Sequence, residues 1–160
     1  MPELSQVSQE RNERWMARAL ELAKQAADAR EVPIGCIIVH EPTGQIVGEG
    51  FNRREAHEDA TAHAEILAIR QAGAKTGHWR LLDCAMVVTL EPCPMCAGAI
   101  VNARLPKLIY GCADPKAGAV RSLYTICEDN RLNHRVAVYP HVLAEQCAKL
   151  LTDFFRARRT

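Results

Sequence analysis

The sequence predicts an α/β fold in which a five-stranded sheet is covered by helices on both faces. Three observations carry this. Pro33-Ile-Gly-Cys-Ile-Ile-Val39 and Ala85-Met-Val-Val-Thr-Leu90 are near-continuous apolar runs rich in β-branched residues, the pattern of strands buried on both sides. Trp15, Met16, Ala19, Leu20, Leu22, Ala23 and Ala26 recur at helical spacing between charged residues, as in a helix that covers a sheet. Runs of strand length then alternate with helical ones, which implies crossover connections and helices on either face.

Taken in order, the first helix is expected from about Asn12 to Ala29. Pro33 to Val39 follows as a strand, Pro42-Thr-Gly44 as a turn, and Gln45 to Asn52 as the partner strand of a hairpin. Arg53 to Asp59 is a polar loop leading into a helix whose apolar run is Ile66, Leu67 and Ile69. The strand Ala85–Leu90 ends directly at Glu91-Pro92-Cys93, where Pro92 reads as the proline of a first helical turn. The helix Cys93 to Asn102 is rich in small residues. Lys107–Tyr110 is the fourth strand, Gly111–Gly118 a long loop, Arg135–Tyr139 the fifth strand, and Leu143 to about Arg158 a closing helix with Leu143, Cys147, Leu150, Leu151 and Phe154 inward.

The chain of 160 residues reads as one domain, 1–160, with no repeat, linker or low-complexity segment. Its 48% hydrophobic and 24% charged residues exclude a disordered class. A net charge of +1 means that any nucleic-acid partner must be held by a local patch and not by a protein-wide field. Phe154-Phe-Arg-Ala-Arg-Arg159 is one such patch: a helix end with cations suited to its dipole, and equally a tail able to contact phosphates and stack on bases. The polar start and the lack of a long apolar run argue against a signal peptide or a membrane span, so a reduced, cytoplasmic protein is expected. Of the seven cysteines, Cys36, Cys84, Cys112, Cys127 and Cys147 then read as small buried hydrophobes.

Chemistry concentrates in two stretches, Thr61-Ala-His-Ala-Glu-Ile66 and Thr89-Leu-Glu-Pro-Cys-Pro-Met-Cys-Ala-Gly-Ala-Ile100. Cys93 and Cys96, three apart at a helix start, share a face and could grip one ion. With His63 they make three ligands, the number found in a catalytic zinc site that leaves one position for water. Helices beginning at the ligands would turn their positive dipole ends on the site and favour thiolates. Glu65 can share the site with His63 only if the helix begins between them; it would then serve as a proton carrier. A redox Cys-x-x-Cys pair, or a structural zinc with Cys36, His57, Cys84 or Cys112 as fourth ligand, are the competing readings.

His-x-Glu…Pro-Cys-x-x-Cys is the signature by which the zinc-dependent nucleobase deaminases are known. Glu31-Val-Pro-Ile-Gly35, Gly48-Glu-Gly-Phe-Asn52, Asp59-Ala-Thr-Ala-His-Ala-Glu65, Glu91-Pro-Cys-Pro-Met-Cys-Ala-Gly-Ala99, Asp114-Pro-Lys-Ala-Gly-Ala119, Ser122-Leu123, Asn133-His134 and Asp153-Phe-Phe-Arg156 extend the match over nearly the whole chain. Together they resemble the bacterial tRNA-specific adenosine deaminases, of the cytidine/deoxycytidylate deaminase-like zinc deaminase superfamily. The resemblance implies a three-layer α/β/α cytidine-deaminase-like fold with a mixed five-stranded sheet, and a homodimer with one zinc per subunit. It implies hydrolytic deamination of adenosine to inosine at the first anticodon position of a tRNA, typically an arginine tRNA, held by its anticodon stem-loop. By the same resemblance His63, Cys93 and Cys96 would bind zinc, and Glu65 would shuttle protons to and from the activated water. Asn52 would hydrogen-bond the flipped base beside the backbone of Ala64 and Leu90, Val32 would pack on its ring, and Asp114, Lys116, Phe155 and Arg156 would contact RNA. A deaminase of free guanine or cytosine with the same fold is the nearest alternative. The loop segments Cys112-Ala113 and Thr125–Arg131 depart from the family pattern, which leaves tRNA choice open there.

Overall fold

The computed structural model describes residues 4–159. Its elements, in chain order, are α1 (Gln6–Asp28), β1 (Gly35–His40), β2 (Gln45–Phe51), α2 (Ala64–Thr76), β3 (Cys84–Leu90), α3 (Pro94–Asn102), β4 (Lys107–Cys112), a short 3₁₀ turn (Ile126–Glu128), β5 (Ala137–Tyr139) and α4 (Ala144–Arg158). They form one mixed sheet of order β2-β1-β3-β4-β5, antiparallel across β2-β1-β3 and parallel across β3-β4-β5.

Side-chain alternation sorts the core into two layers. Cys36, Ile38, Met86, Val88, Leu108 and Tyr110 face α2 and α3, whose Ala64, Ala68, Ala97 and Ile100 pack on them. The intervening Ile37, Val39, Val87 and Ile109 face α1 and α4, against Met16, Ala19, Leu20 and Cys147. Each of those four strand residues is fully buried, a gain of about 1.5–3 kcal/mol apiece over exposure. The continuous apolar strands thus have helices on both sides, as expected.

Several boundaries differ from the sequence reading. α1 begins six residues earlier than Asn12, because Ser5 accepts a hydrogen bond from the Ser8 amide and caps a first turn that carries no apolar stripe. Pro92 lies outside α3; Pro94 takes the first helical position and Cys93 the cap. No α-helix fills the crossover between β4 and β5; the 3₁₀ turn does, with Cys127 buried beneath it against the α3 side. At the last helix Leu143 is the cap in a left-handed conformation (φ 51°), and Leu150, Leu151 and Phe154 are only half-buried. Cys36, Cys84, Cys112, Cys127 and Cys147 are buried free thiols.

Two glycines of β2 place α2. A Cβ at Gly50 would lie 2.5 Å from the Ala64 carbonyl oxygen and 3.0 Å from the Ala68 nitrogen, and one at Gly48 would meet the Ala68 carbonyl oxygen. The helix therefore rests on bare backbone, and its first turn is held at the end of β2.

Candidate metal centre

The site forms where α2 and α3 begin. His63 caps α2 with extended backbone (φ −76°, ψ 154°) and Cys93 caps α3 likewise (φ −75°, ψ 175°). A serine or aspartate there would turn its oxygen back onto the first-turn amides. Neither of these side chains does so, and both project into the space between the helix ends. Cys96 joins them from the first turn of α3, fully buried.

His63 Nδ1 lies 3.6 Å from Cys93 Sγ and 3.6 Å from Cys96 Sγ, and the three donor atoms all lie within 4.8 Å of one another. Nitrogen and sulfur ligands at about 2.0–2.3 Å from one zinc would be separated by roughly 3.5 Å along a tetrahedral edge, so the set fits that ion. Among the described residues, Cys36, His57, Cys84 and Cys112 do not join the cluster.

The three groups share protons strongly. The hydrogen bond from Cys96, against the opposing effect of burial and with help from His63, pulls the Cys93 thiol down to about 4. Acting as that donor, and buried, Cys96 is pushed far up, while its contact with Cys93 raises His63. A cation between them would displace those protons, as thiolate ligands require.

Glu65 stands one residue inside α2 from its first position, 4% exposed. The helix does begin between it and His63, and so both can face one site. Burial pushes its carboxyl up to about 7, partly offset by its own backbone amide. A carboxyl so placed can take up and release a proton near neutrality.

Around this centre the remaining sequence-singled residues divide. Asn52 is buried; its Nδ2 donates to the Val32 carbonyl (3.3 Å) and its Oδ1 accepts from the Arg54 amide (3.1 Å), so it ties the segment after α1 to the loop before α2. Val32 and Leu90 are half-buried, and Ala64 is buried as the first residue of α2, whose amide has no helical partner. Asp114 is half-buried: its Oδ1 accepts from the amides of Lys116 and Ala117 at 3.0 and 3.2 Å, which makes a tight turn with the Lys116 side chain exposed. Phe155 and Arg156 are exposed on the last turns of α4, and among the described residues no hydrogen bond or ion pair links them to the metal cluster.

Comparison with known proteins agrees with this geometry. The family model of the "Cytidine and deoxycytidylate deaminase zinc-binding region" matches residues 9–112. A tRNA-specific adenosine deaminase of Streptococcus pyogenes serotype M1 is 49% identical over 145 residues, 91% of this chain and 84% of that one. This chain belongs to the tRNA-specific adenosine deaminase family. A solved structure from a study of A-to-I editing by tRNA:A34 deaminases at the wobble position of transfer RNA superposes with a TM-score of 0.82 at 40% identity, covering 86% of this chain and 99% of that one. The guanine deaminase of Nitrosomonas europaea, at 22% identity and a TM-score of 0.78 over 95% and 93% of the two chains, shares the fold.

Two buried carboxylates of this family member escaped the sequence reading. Glu31, 1% exposed, accepts hydrogen bonds from the amides of Glu55 and Ala56 at 3.0 and 2.8 Å and so closes the loop between Asn52 and His63. Glu91, 2% exposed, immediately precedes Pro92 and Cys93 and does the same for the loop after β4. Burial raises its carboxyl, but the amides of Arg121, Ser122 and Asp114 and the Ser122 hydroxyl outweigh burial and hold it at about 2. The signal in sequence is a charged residue abutting an apolar strand run.

Proposed function

We propose that this chain is a zinc-dependent hydrolase that deaminates adenosine to inosine at the first anticodon position of a tRNA, acting as a single deaminase domain. The observation that carries it is Glu65, buried two residues on from the cap residue His63 and hydrogen-bonded through its carboxyl to Cys96 of the three-donor cluster. The 49% identity to a tRNA-specific adenosine deaminase supports the substrate.

His63, Cys93 and Cys96 would hold one zinc per subunit. Bound there, zinc would supply a water acidic enough to lose its proton near pH 7. Glu65 takes that proton and passes it to the ring nitrogen next to C6; after the oxygen has bonded to C6, Glu65 takes the remaining hydroxyl proton and carries it to the amino group. The water's oxygen forms its bond to C6, the C6–N bond breaks, and ammonia leaves. Asn52 keeps one Nδ2 hydrogen beyond its bond to Val32 for the base. The backbone of Ala64 and Leu90 borders the base, and Val32 packs on its ring. The target must leave its stack to reach the centre, which an anticodon loop permits at low cost. Asp114, Lys116, Phe155 and Arg156 are the proposed RNA contacts, and an arginine tRNA the expected substrate.

A homodimer fits the outer face of α3. No residue of Pro94–Asn102 is charged, and Met95, Gly98 and Ala99 remain half-exposed, as does Ile66 of α2. Small and apolar residues on an uncovered helix face suit a second copy. No helix among the described residues is long and apolar enough to cross a membrane, in keeping with action in the cytoplasm.

The test is inosine formation in a transcribed arginine tRNA with adenosine at the first anticodon position. Wild type forms inosine; a fully zinc-loaded protein that leaves the tRNA unchanged while turning over free guanine overturns the reading.

A further inference from the structure

We infer that Glu91 is a positioning residue that joins the metal-binding end of α3 to the substrate-facing loop 114–122, and so sets how the tRNA is held without taking part in the chemistry. The inference rests on the tRNA deaminase reading above for its substrate, and on hydrogen bonding alone for its geometry.

The carboxylate of Glu91 is enclosed by one loop. Its Oε1 accepts from the Asp114 amide at 3.0 Å and the Ser122 hydroxyl at 2.5 Å; its Oε2 accepts from the amides of Val120, Arg121 and Ser122 at 3.1, 2.9 and 2.9 Å. Five donors from residues 114 to 122 thus converge on one side chain. Gly118 lies so close that a Cβ there would fall on the carboxylate itself. The neighbouring Pro92 carbonyl takes the Ala119 amide at 2.8 Å, and the Glu91 amide donates to the Cys112 carbonyl at 2.9 Å. The loop therefore has no long helix or strand to hold its shape; Glu91 supplies the acceptors that a regular element would have supplied.

Both ends of this tie matter to the site. On one side Glu91 is two residues from Cys93, which caps α3 and lies 3.6 Å from His63 Nδ1. On the other it fixes the Asp114 amide, and with it the turn that presents Lys116. A carboxylate suits the place because all five groups donate, and only an acceptor on both oxygens satisfies them. Glutamine must turn its amide hydrogens toward N–H donors whichever way it is flipped.

The test compares wild type and Glu91→Gln, each zinc-loaded, on an anticodon stem-loop with adenosine at the first anticodon position. Glu91→Gln raises KM at least tenfold and leaves kcat within about threefold and zinc content unchanged; Ser122→Ala, which removes one donor at the loop surface, shifts KM in the same direction by a smaller factor. A fall in kcat at constant KM, loss of zinc, or no change in either constant overturns the proposal. Hydrogen exchange in wild type is the second arm: the amides of Asp114, Val120, Arg121 and Ser122 exchange far more slowly than an open loop, and free-peptide rates there overturn it even where the variant does not fold. If wild type fails to deaminate the stem-loop, the substrate reading falls, while the exchange arm still decides whether Glu91 anchors the loop.

Discussion

His63 and Cys93 occupy equivalent positions, each the extended cap residue of a helix, with their side chains 3.6 Å apart between the two helix ends. Cap residues have non-helical backbone and side chains directed out of the helix end, so placing ligands there frees them from helical packing. The partial positive charge of both helix N-termini also falls on the thiols and favours their ionised, ligating form.

Glu65→Gln keeps the size and burial of the side chain but removes its proton traffic. Zinc content and fold stay as in wild type, and turnover on tRNA falls at least a hundredfold. Turnover within tenfold of wild type at full zinc occupancy would remove Glu65 from the mechanism.

Stripping the metal with a chelator should make Cys93 reactive while the core thiols stay silent. Cys93 is half-buried and drawn down to about 4, so iodoacetamide labels it at pH 7 once uncovered. Burial pushes Cys112 up to about 11, and Cys127 and Cys147 to about 12. A raised thiol keeps its proton as pH rises, so at pH 8 a group at 12 is thiolate only about one part in ten thousand of the time. Mass spectrometry of labelled peptides between pH 7 and 9 reads this directly; Cys147 labelling at the rate of Cys93 would contradict it.

Gly50→Ala places a methyl against the Ala64 carbonyl oxygen, a backbone atom that cannot step aside. The expected loss is about 1–3 kcal/mol in urea unfolding, as for other over-packed sites. Because α2 also carries His63 and Glu65, zinc affinity falls as well. An unchanged midpoint together with unchanged zinc binding would show that α2 does not bear on this glycine.

Arg156→Ala removes one cation from the last turn of α4. If that cation meets a phosphate, tRNA affinity drops and the slope of log affinity against log salt weakens by about one. Identical slopes for variant and wild type would take Arg156 out of the RNA contacts.

The sequence by itself determined the five strands, the flanking helices and the His63, Cys93, Cys96 and Glu65 constellation. These are properties of local period and short spacing: β-branched runs make strands, and i, i+3 residues at a helix start share a face. It also placed the five core thiols correctly, since cysteine without a partner motif behaves as a small apolar side chain. Helix starts were less legible, because a polar first turn such as that capped by Ser5 has no apolar stripe, and because Pro92 and Pro94 compete for one motif position. Only the tertiary structure decided that Glu31 and Glu91 are buried acceptors for loops 23 to 31 residues away, and that β4 and β5 are bridged through a 3₁₀ turn. Those loops have no period to read. Their shape comes from backbone amides satisfied by distant carboxylates, a pairing that exists once the sheet and helices have brought both ends together.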